Sequence, residues 1–145
     1  SLIIQIKRAL RSTGMKDTDR QLLVDLRRAL LHLHKTLLDW ERAAYEKIHG
    51  RTSPGSLLTA LMNDAQFAWL RPLSELIVRI DESLEIDALE GPEVDVEALV
   101  SLAAAVITAD EAGNAAAQRH HQAMQEYPDA VFAHRAVTNV MKSRH

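Results

Sequence analysis

The sequence predicts an all-α fold, an up-and-down bundle of four or more helices around one long central helix, with a C-terminal helical hairpin packed on it. Three observations carry this. From Thr18 to His49, apolar residues keep a seven-residue beat through Leu23, Leu26, Leu30, Leu33, Leu37, Trp40 and Ala44, the mark of a long amphipathic helix. Aromatics make up only 4% of the chain, and Ala and Leu carry the apolar content, which suits closely packed helices better than a sheet. The other apolar segments are punctuated by Ser53-Pro54-Gly55, Asn63-Asp64, Gly91-Pro92, Gly113-Asn114 and Pro128-Asp129, the breakers expected between helices.

The elements follow in order. Residues 1 to 12 can form a short helix with Ile3, Ile6 and Leu10 on one side, broken at Ser12-Thr13-Gly14. Because the globular pattern begins just after Met15, residues 1–14 are expected to be an N-terminal extension upstream of a start at Met15. A genuine N-terminal helix is the alternative. Residues 15–145 are expected to form a single helical-bundle domain, a length that can bury a sizeable core.

The long helix opens with Asp17, Thr18 and Asp19 and ends at Gly50, with Lys47 and His49 in its last turn, so both ends carry the residues that complement the helix dipole. At 1.5 Å per residue it spans about 48 Å, more than the width of about 38 Å expected for a compact chain of this length. An elongated molecule is predicted. Ser53 caps a short helix with Pro54 at its first position, and Asp64 can cap a further one running to about Leu84, with a kink or restart at Pro72. Residues 86–95 read as a loop. Residues 96–109 form an Ala/Val/Leu-rich helix that looks nearly all buried, and 115–127 and 130–142 form the final pair. That pair is like one helical-hairpin repeat, and a single copy makes no solenoid.

Composition excludes several functions. A net charge of -3 gives no general attraction to nucleic acid or to a membrane surface. No apolar run approaches the roughly 20 residues that span a bilayer, and the N-terminal stretch lacks the features of a signal peptide, so a cytoplasmic protein is expected. The chain has no cysteine, which removes disulfides, thiolate nucleophiles and the usual structural zinc sites. No nucleophile motif, complete metal-ligand set, phosphate loop or nucleotide fingerprint occurs. No catalytic residue, metal or cofactor is therefore assigned.

Charge is uneven. From Ile80 to Gln118 there are ten acidic residues and no Lys or Arg, whereas residues 1–79 hold thirteen basic against eight acidic. The acidic block is a solvated loop and helix start, or else a docking surface that meets the basic face of its own or another subunit.

One polar feature stands out. With Leu23 at heptad position a, columns c and f of the long helix are all charged or histidine and face water. Columns b (Val24, Leu31, Leu38, Tyr45) and g (Leu22, Ala29, Thr36, Ala43) are apolar or small, so the buried arc is expected to be wide. Column e lies inside that arc and reads Arg27, His34, Glu41, Ile48. Buried without partners, its polar members would each cost several kcal/mol. They are about 10.5 Å apart along the axis, so partners must come from other helices, and Asp81 is a candidate. A satisfied network that fixes helix register is the leading explanation. A small-molecule or anion pocket built on Arg27, His34, Glu41 and Asp81 is the alternative, with His34 and Glu41 as the ligand or base pair if the site binds metal or catalyses.

Other patterns are weaker. Glu46-x-x-His49 has the spacing used in di-iron bundles, but it occurs once and on the exposed face. His120, His121 and His134 do not converge as ligands, because adjacent helical residues point about 100° apart. Trp40, Tyr45, Phe67 and Trp69 fit the core or its edge better than a ligand cavity.

Two segments carry a resemblance: His34-Lys35 with Leu37-Leu38, Glu41-Arg42 and Tyr45-Glu46 leading to Gly50; and Phe67-Ala68-Trp69-Leu70-Arg71-Pro72-Leu73-Ser74 followed by Ile77 and Ile80-Asp81-Glu82. Over roughly residues 18–140 the chain resembles a family of small, uncharacterised bacterial all-helical proteins. The resemblance implies a bacterial helical protein, places Arg42, Trp69 and Arg71 among the motif residues, and transfers no activity. The expected function is a non-enzymatic protein–protein interaction module, a homodimer with a further protein partner not named by these residues, because apolar columns flank both sides of the seam.

Overall fold

The computed structural model describes residues 1–3, 6 and 14–143. The short helix expected over residues 1–12 falls mostly outside them. The elements are α1 (Asp17–His49), α2 (Pro54–Asn63), a 3₁₀ turn (Ala65–Leu70), α3 (Arg71–Ala88), α4 (Val96–Val106), α5 (Ala115–Glu126) and α6 (Pro128–Lys142). The fold is an all-α bundle, with no strand among the described residues. None of the described helices is long and apolar enough to cross a membrane.

Helix α1 runs for 33 residues and packs chiefly against α6 and α3. Its leucines at 22, 23, 26, 30, 33 and 37 are buried against Phe67, Leu70, Leu73, Leu76, Ile77 and Ile80 from the 3₁₀ turn and α3. From α6 come Ala130, Ala133 and Val137, small side chains that let two helix backbones approach closely. Acidic Asp17 and Asp19 occupy the first turn and basic Lys47 and His49 the last, and Lys16 stands at the N-cap without a side-chain bond. Gly50 ends the helix at φ 82, a left-handed conformation that favours glycine.

Several boundaries differ from expectation. The buried arc of α1 is narrower than the heptad pattern predicts, since Leu31 and Ala43 are exposed and Val24, Leu38 and Tyr45 only half-buried. Its neighbours α3 and α6 cover the a and d columns and part of g, leaving b at the margin. Within column e, Arg27 and His34 are half-buried, Glu41 is fully buried and Ile48 exposed. The restart at Pro72 is real: a 3₁₀ turn capped by Asp64 gives way to α3, with Pro72 in its first turn.

Helix α3 continues to Ala88 rather than ending near Leu84, because buried Asp87 is anchored by Arg20 Nη2 at 2.8 Å and the Met15 amide at 3.3 Å. The expected loop at 86–95 is thereby shortened. Gly91 closes the turn, its amide donating to Ile86 O at 2.8 Å, and a Cβ there would meet Ile86 Cγ2 at 2.8 Å. Helix α4 is not nearly all buried: it turns Val96, Leu99 and Ala103 inward and leaves Ser101, Ala104 and Ala105 exposed. Helix α6 starts at Pro128 instead of Ala130, where proline loses nothing by lacking an amide hydrogen.

Candidate functional site: the Glu41 cluster and the recess beside Trp69

Glu41 is the most buried charge described, at 1% exposure. The 3₁₀ turn brings Trp69 beside it, and Trp69 Nε1–H donates to Glu41 Oε1 at 2.9 Å. Helix α5 brings Arg119, which donates from Nε to Oε1 at 3.1 Å and from Nη2 to Oε2 at 2.5 Å. This two-point fork fits the planar guanidinium to the carboxylate. The same guanidinium lies 4.2 Å over the Trp40 ring, in cation–π range, and its Nη1 donates to Gln122 Oε1 at 2.6 Å. Trp40 and Trp69 meet edge to face with centroids 6.2 Å apart.

His120 closes the far side of Trp69, its ring edge-on at 5.0 Å. It is 2% exposed, and its Nε2 has no hydrogen-bond partner. Burial, reinforced by the charge of His134, pushes its pKa down to about 4, so the imidazole is neutral at pH 7. His134 Nε2 lies 2.9 Å from Ile107 O; a carbonyl only accepts, so that nitrogen carries the proton.

The other residues of column e take separate partners. Arg27 pairs with Asp81 across α1 and α3, with side chains 38% and 48% exposed. His34 Nε2 lies 2.7 Å from Ser74 Oγ, which also reaches Leu70 O at 3.3 Å. When the hydroxyl donates to that carbonyl, His34 Nε2–H donates to the hydroxyl. Burial lowers the His34 pKa. Arg27 and Asp81 therefore meet, while His34 and Glu41 each belong to a different contact, and the four do not form one pocket.

The motif arginines hold chain ends. Arg42 Nη2 donates to Thr52 O at 2.7 Å, and Glu46 Oε2 accepts from the Thr52 amide at 2.5 Å, so the two clasp the loop that follows α1. That amide bond holds the Glu46 carboxyl below its usual range. Arg71 donates from Nε to Leu61 O at 3.4 Å and from Nη2 to Asp64 O at 3.2 Å, satisfying carbonyls at the end of α2. His49 of the Glu46-x-x-His49 spacing stacks on Tyr45 at 4.2 Å. Among the described residues, no group of three His, Asp or Glu is placed to hold a metal ion.

Beyond Trp69 lies a recess of about 410 Å³, between the 3₁₀ turn, the start of α3, the end of α4 and the start of α5. Its walls are Trp69, Pro72, Ala105, Val106, Ala116 and Ala117, and Thr108, Asp110 and Asn114 stand among its polar groups. Two partners in the cluster escaped the sequence argument. Arg119 is the first cation after the cation-free stretch that ends at Gln118, a signal that marks it but names no partner. His120 is indistinguishable in sequence from its half-buried neighbour His121, which reaches Glu111 at 3.5 Å.

No protein-family model, curated protein or solved structure matches the chain.

Proposed function

We propose that the chain is a non-enzymatic protein–protein interaction module that works as a homodimer in the bacterial cytoplasm. The observation that carries this is α2. It contains no charged residue, and it leaves Leu58 57% and Met62 65% exposed. These two are one turn apart and share a face. Exposed apolar residues paired on one face mark a surface that a partner covers, and an uncharged face can meet its own copy across a two-fold axis without like-charge repulsion.

One further fact supports the same reading. The candidate polar residues Arg27, His34, Glu41 and Asp81 have internal partners, which fits a register-fixing role better than a reactive site.

Size-exclusion chromatography with light scattering tests the proposal. Twice the chain mass is expected for the unaltered protein, and the chain mass for Leu58→Glu with Met62→Glu. A monomeric unaltered protein, or a dimer indifferent to those changes, overturns it.

A further inference from the structure

Among the described residues Trp69 is the one aromatic side chain lining the recess of about 410 Å³, and four side chains combine to fix that indole. Its Nε1–H is tied to buried Glu41. Trp40 and His120 meet it edge to face. Arg119 locks the carboxylate that holds it. A half-buried ring so constrained presents a rigid apolar wall rather than a mobile one.

The opposite side of the recess is made by small groups, Ala105, Gly113, Ala116 and Ala117, which leave room instead of filling it. The volume and the mix of apolar walls with a few polar groups match what small-molecule sites use. The polar groups are specific in sign. Asp110 Oδ1 accepts from the Ala112 amide at 2.9 Å, which leaves its second oxygen for a ligand. Thr108 Oγ1 donates to Ala104 O at 2.9 Å, so it meets a ligand as an acceptor. From Ile80 to Gln118 the chain has no Lys or Arg, and the nearby cation Arg119 is neutralised by Glu41. The local potential therefore favours a cation and opposes an anion.

We propose that this recess binds a small aromatic amine, its apolar body against Trp69 and its ammonium group at Asp110. The arrangement gives the ligand a stacking surface and one charge-assisted hydrogen bond. It gives the buried Glu41–Arg119 pair a purpose beyond register, the positioning of Trp69. The inference does not depend on the homodimer.

The test is a ¹H–¹⁵N titration of the full chain with tryptamine, neutral indole and indole-3-acetate in turn. Saturable shifts are expected at the Gly113 and Asn114 amides and at Trp69 Nε1–H, with tryptamine binding tightest and the acetate weakest. Asp110→Asn should weaken tryptamine roughly tenfold, the equivalent of about 1.4 kcal/mol, and leave indole unchanged. Ala116→Leu, which keeps a good helix former while filling the space, should abolish binding of both. Should that variant not fold, Ala105→Leu on the exposed flank of α4 makes the same test. Absence of saturable shifts, shifts centred elsewhere, or tryptamine binding that ignores Asp110→Asn would overturn the proposal.

Discussion

Replacing Arg119 with methionine strands a carboxylate that has almost no access to water. Glu41 is 1% exposed, while the Arg119 side chain is 26% exposed, so the two ends of the pair are not equivalent. Removing one partner of a buried pair costs about 3 to 5 kcal/mol, mostly the penalty for the charge left behind. Here Trp69 Nε1–H still holds one oxygen, and water can enter through the opening left by Arg119, which places the expected loss near 3 kcal/mol. For a chain of this size that corresponds to a fall in Tm of about 10 °C. Glu41→Gln keeps the shape and leaves an arginine that can hydrate, so a smaller loss of about 1 to 2 kcal/mol is expected. Glu41→Gln combined with Arg119→Met removes both charges while a side-chain carbonyl still accepts from Trp69 Nε1–H, and it should recover most of the stability of the unaltered chain. Thermal and urea melts followed by circular dichroism measure all three. An Arg119→Met loss within about 0.5 kcal/mol, the range of an ordinary surface change, would refute the reasoning, as would a double variant less stable than either single one.

His120 supplies a pH dependence. Its folded pKa of about 4 lies below the ordinary 6.5, so the unfolded chain takes up a proton first as pH falls. Stability is fully present above 6.5 and declines from there to about 4, by at most about 3 kcal/mol. His120→Phe fills the space without an unpartnered nitrogen; it should match or exceed the unaltered stability at pH 7 and flatten that decline, and melts from pH 7 to pH 4 that stay equally steep would contradict it. His34→Ala and Ser74→Ala should each cost about 1 kcal/mol, with a double-mutant coupling near that size; additive losses would show that the pair is not bonded in solution. His34→Leu, which fills the space, should cost less than His34→Ala. Two acidic residues of α3 should differ sharply: Asp81→Ala, from a pair 38% and 48% exposed, should cost under about 1 kcal/mol and lose its effect in salt, while Asp87→Ala, whose side chain is 2% exposed, should cost about 2 to 3 kcal/mol. Equal losses in urea melts would count against the burial argument.

How much of this was legible in the sequence depends on the reach of the interaction. The long helix, its polar ends, the Ser53 cap with Pro54 behind it and the restart at Pro72 all follow from residues a few positions apart, where backbone sterics and one-turn spacing decide. Periodicity also marked Glu41 as a charge on an apolar arc. It overstated that arc, since Leu31 and Ala43 reach solvent: the pattern shows which residues share a face, but only the packed neighbours decide how much of the face is covered. The end of α3 moved for a similar reason. Asp87 reads as one more acid in a loop until Arg20, 67 positions away, is placed against it.

The sequence by itself determined that this chain is helical, where most of its helices start and stop, and that column e of α1 required partners. Tertiary structure decided who those partners are. Arg119 reaches Glu41 across 78 positions and Trp69 reaches it across 28, contacts that no local propensity encodes, because loop closure lets any cation or indole in the chain compete for the site. The same holds for the recess beside Trp69. Its walls come from four separate elements, and an empty space between helices exists only once their packing has fixed the distances around it.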